Sequence, residues 1–169
     1  RILLTTGASA GLVAVFAALF TNDQRVALFR PGYPPYRNGL RGLGIGTIEL
    51  DCAAEHGFRP DVAALAALDP PPAGVVLASP ANPTGTMIDR EDFEVIARLC
   101  RDRGTLLISD EIYHGITYGK RAISALEIVQ QQGGGGRFSG QSAPGEAQEQ
   151  TAKQGEREAE QSGHGLRVA

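Results

Sequence analysis

Val75-Val76-Leu77-Ala78-Ser79 runs without a break into Pro80-Ala81-Asn82-Pro83-Thr84-Gly85. A short, nearly all-apolar run that stops at turn residues has no polar face, so it reads as a strand buried on both sides of a parallel sheet. A second such run, Thr105-Leu106-Leu107-Ile108-Ser109, stops at Asp110 and Glu111. Between them, Asp89 to Arg103 carries Phe93, Ile96, Ala97 and Cys100 on one helical stripe, with Asp92 as a capping acid and Gly104 as terminator. Two buried strands joined by an amphipathic helix make a βαβ unit.

Working toward the amino terminus, the same alternation recurs. Asp61 to Leu68 reads as a short helix behind Pro60, and Gly46 to Asp51 as a strand. Arg25 to Phe29 is a strand stopped by Pro31. Proline lacks an N–H and biases the residue before it toward extended backbone, so Pro31-Gly32-Tyr33-Pro34-Pro35-Tyr36 is expected as a loop, with a helix from Tyr36 to Leu43. Ala8 to Phe20 has apolar residues at three- and four-residue intervals, and Ile2 to Thr6 reads as a fifth strand. The expected fold is α/β: a partial three-layer sheet of five mostly parallel strands with helices on both faces.

Composition narrows the function. The 169 residues carry a net charge of −3, with 16 scattered basic residues, which leaves no electrostatic footprint for nucleic acid or an anionic membrane. The longest apolar stretch, Gly11 to Phe20, falls well short of the roughly 20 residues a bilayer requires. Cys52 and Cys100 lack both CxxC and Cys/His spacing, so no metal site is suggested and a reducing cytoplasm is the expected location. From Gln130 to Ala169 the only large apolar residues are Phe138, Leu166 and Val168. Residues 129–169 are therefore expected as a low-complexity tail, disordered or read from a shifted frame, behind a domain of residues 1–128.

Ligands of open parallel sheets bind beyond the carboxyl ends of strands, and here those ends are polar. Thr6-Gly7-Ala8-Ser9 opens a helix whose free N–H groups suit a phosphate, although small residues there also serve as simple caps. Asn82 is held among prolines with its amide free to aim one hydrogen bond. Asp110 closes a buried strand and needs a positive or protonated partner, unless it is only a helix cap.

Together, TTGASAG (5–11), RPGYPPYRN (30–38), ASPANPTGT (78–86) and ISDEIYHGITYG (108–119) resemble the class I/II aminotransferases of fold type I, the pyridoxal-phosphate enzymes related to aspartate aminotransferase. The resemblance implies pyridoxal 5'-phosphate as cofactor and an amino acid and a 2-oxo acid as substrates. It also implies a cytoplasmic homodimer in amino-acid biosynthesis. It places Ala8 and Ser9 at the cofactor phosphate, Tyr33 against the pyridine ring, and Asn82 and Tyr113 at the ring's phenolic oxygen. Asp110 falls at the ring nitrogen, where a carboxylate keeps the nitrogen protonated and the ring an electron sink. His114, Glu111 and Arg37 are read as packing, structural and helix-face residues.

The family's Schiff-base lysine, in a Ser-x-Ser-Lys strand, has no counterpart, because Lys120 lies ahead of that position and Lys153 in a hydrophilic tract. No catalytic residue is assigned, and the chain is expected to be an inactive, incomplete large domain, truncated or frameshifted near Val129. The resemblance also sets two later strands between the first and the fifth, so Ile2 to Thr6 is expected to lack sheet neighbours. The rivals are a β-lyase or carbon–sulfur lyase with the same cofactor, a non-catalytic cofactor-binding relic, and an unrelated nucleotide domain. The last lacks both GxGxxG and GxxxxGK[ST].

Overall fold

The computed structural model describes residues 2–131 and 166–168. In chain order the elements are α1 (Ala8–Leu19), β1 (Arg25–Arg30), α2 (Pro34–Gly42), β2 (Gly46–Asp51), a 3-10 turn (Ala54–His56), α3 (Val62–Ala66), β3 (Gly74–Ala78), α4 (Arg90–Asp102), β4 (Leu106–Asp110), α5 (Ala125–Gln131) and β5 (Leu166–Val168). The strands lie in the order β2-β1-β3-β4-β5. The first four are parallel, with Val26 beside Gly74 and Ala78 beside Asp110, and β5 joins β4 antiparallel.

Period-two alternation along the strands feeds two cores. Val26, Leu28, Val76 and Ile108 point to the face covered by α1 and α2, where they meet Leu12, Phe16, Tyr36 and Leu40. Ala27, Val75, Leu77 and Leu107 point to the opposite face, covered by Leu65 of α3, by Phe93, Ile96 and Cys100 of α4, and by Ile128 of α5. Complete burial of each large side chain contributes roughly 1.5–3 kcal/mol, so the sheet holds only because both faces are covered. The expected α/β architecture with helices on both faces is the one observed.

Two local expectations need correction. Ile2–Thr6 is not a strand: it is irregular, and Ile2, Leu3 and Leu4 are 54%, 77% and 92% exposed. β propensity is realised only against a neighbouring ladder, and among the described residues no strand pairs with this segment. The loop expected through the prolines is the second correction, because α2 begins at Pro34 with Tyr33 as its N-cap. The first N–H groups of a helix have no intrahelical acceptor, so Pro34 and Pro35 lose nothing there. The tail expected from residue 129 lies outside the described residues, apart from the end of α5 and β5.

Candidate active site

β1 leads into α2, which returns the chain to β2, whereas β3 leads by α4 to β4 on the other side. The strand order therefore diverges between β1 and β3, and a crevice opens beyond their carboxyl ends. It is lined by Gly32, Tyr33 and Tyr36 after β1 and by Ala78, Ala81 and Asn82 at and after β3.

Asp110, the last residue of β4, is 4% exposed. Tyr36, in the opening of α2, donates its hydroxyl to Asp110 Oδ2 at 2.6 Å, and the Ile112 N–H donates to Oδ1 at 3.1 Å. Each carboxylate oxygen thus has a partner and a further lone pair to offer. Burial, and next the Asp110 charge, push the Tyr36 phenol well above its ordinary range, so it remains a donor.

A pH dependence follows from that shift. The unfolded phenol ionises near 10 while the folded one stays protonated. The stability it contributes is therefore complete below about pH 10 and drains away as pH rises past that value. Urea-unfolding midpoints measured from pH 8 upward are expected to fall less steeply for Tyr36→Phe than for the parent. Parallel curves would show that the pair contributes nothing to the alkaline limb.

Tyr33 packs edge-on to Tyr36, with ring centroids 5.4 Å apart and planes at 79°. Its hydroxyl lies 3.4 Å from Ser9 Oγ. Ser9 and Ala8 open α1 behind Gly7, whose φ of 104° suits a residue without a side chain, and no side chain caps this helix. The first-turn N–H groups are left to an outside acceptor. The bend that delivers Tyr33 depends on Gly32, where an added Cβ would meet the Phe29 carbonyl oxygen at 2.4 Å. Backbone cannot yield as a side-chain tip does. Gly32→Ala is accordingly expected to destabilise the chain by about 1–3 kcal/mol and to displace Tyr33, read as a lowered urea midpoint and altered near-UV dichroism. An unchanged midpoint would mean that the turn re-forms at no cost.

The 79–88 loop is closed by its own hydrogen bonds. Ala81 N–H donates to the Thr86 carbonyl at 2.9 Å, Gly85 N–H to the Ala81 carbonyl at 2.8 Å, and Ile88 N–H to Ser79 Oγ at 3.1 Å. Within it Asn82 Nδ2 donates to the Tyr113 hydroxyl at 3.4 Å. Asn82 and Tyr113 also line an open cleft of about 490 Å³ with Pro83, Met87, Ile116 and Tyr118. Asn82 is shared between crevice and cleft; Ala8, Ser9 and Asp110 line neither. The six expected residues therefore fall into two linked sets, Ser9 with Tyr33 beside the Tyr36–Asp110 pair, and Asn82 with Tyr113, while Ala8 adjoins Ser9.

Tyr36 escaped the sequence reading. The available signal was the proline pair as a helix start, which places a residue two positions after Pro34 in the first helical turn. Arg37 lies 3.6 Å from Glu49, in keeping with a helix-face charge. Glu111 is buried and accepts hydrogen bonds from Ser109, Ser124 and Ala125, as a structural acid does. Lys120 is paired with Asp89, whose carboxyl it holds below the usual range. Lys153 lies outside the described residues. Both cysteines are buried, and burial pushes their thiols up, that of Cys100 to about 12. Among the described residues no helix is long and apolar enough to cross a membrane, and no group of three or more His, Cys, Asp or Glu is placed to hold a metal.

Residues 1–136 match the model of the family "Aminotransferase class I and II". The chain belongs to the class I and II aminotransferases. It is 48% identical over 117 residues to the valine–pyruvate aminotransferase of Mycobacterium tuberculosis, covering 69% of this chain and 30% of that protein. It is 30% identical over 140 residues to 1-aminocyclopropane-1-carboxylate synthase 6 of Arabidopsis thaliana, covering 78% of this chain and 28% of that one. The solved structure of a Mycobacterium tuberculosis aminotransferase superposes with a TM-score of 0.69 at 45% identity, covering 73% of this chain and 33% of the other. The chain thus spans about a third of the length of the aminotransferases it matches.

Proposed function

We propose that this chain forms the cofactor-holding part of a pyridoxal-phosphate-dependent aminotransferase that moves an amino group between an amino acid and a 2-oxo acid. The observation that carries the reading is the buried Asp110 carboxylate at the end of β4, held by Tyr36 beside the Tyr33 ring.

The donor set suits the cofactor group by group. A phosphate dianion would be held at the uncapped first turn of α1, by Ser9 Oγ and the N–H groups of Ala8 and Ser9. A flat pyridine ring would face the Tyr33 ring, and a phenolic oxygen would be held by Asn82 Nδ2 and the Tyr113 hydroxyl, which lie together. A protonated ring nitrogen finds Asp110, which would hold the proton there while Tyr36 and the Ile112 N–H fix the carboxylate. When bound, the cofactor supplies an electron sink for charge developing at the substrate's α carbon. Lys120, the one lysine among the described residues, is engaged by Asp89. The reading accordingly gives these residues cofactor holding rather than proton shuttling, and expects no turnover from this chain alone. A cytoplasmic homodimer is the form in which the complete site would work.

Similarity to a synthase as well as to an aminotransferase favours one alternative, a lyase that uses the same cofactor contacts for a different bond cleavage. Titration of pyridoxal 5'-phosphate into the full chain tests the shared core of both readings. A saturable absorbance band distinct from that of the free aldehyde is expected, and a flat difference spectrum at saturating cofactor would overturn them.

A further inference from the structure

Asn82 and Tyr113 belong to different loops, one after β3 and one after β4, and converge on one point at 3.4 Å. Sheet pairing carries alignment only as far as Ala78 beside Asp110 and the Ser79 N–H on the Asp110 carbonyl. Beyond that, His114 bridges the loops. Its Nε2 lies 2.9 Å from the Ser79 carbonyl, which only accepts, so Nε2 carries the hydrogen. Ser79 Oγ in turn accepts from the Ile88 N–H and closes the loop that holds Asn82.

The ring is aimed by Glu111, which is 2% exposed. Its Oε1 accepts from Ser109 Oγ at 3.0 Å, Ser124 Oγ at 3.3 Å and the Ala125 N–H at 2.8 Å, which ties it to β4 and the start of α5. Its Oε2 lies 3.6 Å from His114 Nδ1, and the His114 N–H donates to the Glu111 carbonyl at 3.0 Å, a turn that carries the ring toward Ser79. A buried carboxyl group with this many donors is fixed in place, and it stands next to Asp110 in the chain.

We infer that Glu111 and His114 are positioning residues: the pair clips the 79–88 loop to the 111–114 segment and so sets where Asn82 and Tyr113 meet. The inference rests on the functional reading above for its purpose, but its structural content does not depend on the cofactor.

The test compares the full 169-residue chain with its His114→Ala and His114→Gln variants by hydrogen–deuterium exchange and by pyridoxal 5'-phosphate titration. His114→Ala is expected to speed exchange across residues 80–86 by roughly three- to tenfold while α1 and α2 keep their protection. His114→Gln, which restores an N–H at similar reach, is expected to reverse most of that change, and cofactor affinity is expected to follow the same order. Equal exchange over 80–86 in parent and His114→Ala overturns the inference, as does a rise spread evenly over every element, the mark of a merely structural residue. Should His114→Ala fail to fold, His114→Phe replaces it: the ring's bulk is kept while the hydrogen bond to the Ser79 carbonyl is lost, and loosening confined to 80–86 is expected. If the parent binds no pyridoxal phosphate, the functional reading falls while the exchange comparison still decides the clip.

Discussion

Asp110→Asn is expected to weaken pyridoxal 5'-phosphate binding by roughly ten- to a hundredfold, because a charge-assisted hydrogen bond to a protonated ring nitrogen contributes about 1.5–3 kcal/mol and a neutral amide forfeits most of it. The fold is expected to survive. The amide oxygen can still accept from the Ile112 N–H while its NH2 donates to the Tyr36 hydroxyl oxygen, and replacing a buried carboxylate by a neutral group relieves a desolvation cost. Titration by difference absorbance beside a thermal melt checks both halves. Unaltered affinity would remove Asp110 from the cofactor site, and a collapsed melt would make it a purely structural acid.

Phe93→Ala is expected to act in the opposite manner, losing binding because the fold is lost. Phe93 is fully buried on α4 and packs in the core under β3 and β4, and truncation of a buried Phe costs about 3–5 kcal/mol. Domains of this size hold only about 5–15 kcal/mol in total, so the urea midpoint should fall by roughly a fifth or more of its value. β3 and β4 are the strands whose carboxyl ends carry Asn82 and Asp110, so the cofactor band should fade along the same urea curve. A midpoint within error of the parent would mean that the core refills the space. The pair of variants separates a group that binds from a group that supports.

The central strands were legible because each is an unbroken apolar run ending in polar residues, and the burial of Val75, Val76, Leu77, Leu107 and Ile108 follows from that pattern alone. Asp110 was legible for the same reason: its place after such a run fixes both its depth and its position at a strand's carboxyl end. Ile2–Thr6 misled because its side chains suit a strand whatever lies beside it, whereas the ladder is a property of the neighbours. Tyr36 was hidden by distance. It meets a carboxylate 74 residues away, a contact between the first turn of α2 and the end of β4 that leaves no trace in local spacing. The Glu111–His114 arrangement was half legible: a structural acid and a packing histidine were readable in Asp110-Glu111-Ile112-Tyr113-His114, but the Ser79 carbonyl that gives the histidine its direction was not.

The alternation along β4 carries a genetic consequence. Ile108 faces the core beneath α1 and α2, Leu107 faces the other core, and Asp110, two residues past Ile108, comes up on the side where Tyr36 waits. Deleting or inserting one codon between those for Thr105 and Ser109 would turn the carboxylate to the far layer and put apolar residues on the wrong sides at the same stroke. Changes of side-chain size along this strand are therefore graded in their damage, whereas changes of its length by one are not. In a gene for this chain, β4 is a place where a conservative apolar exchange costs less than a change in the count of residues.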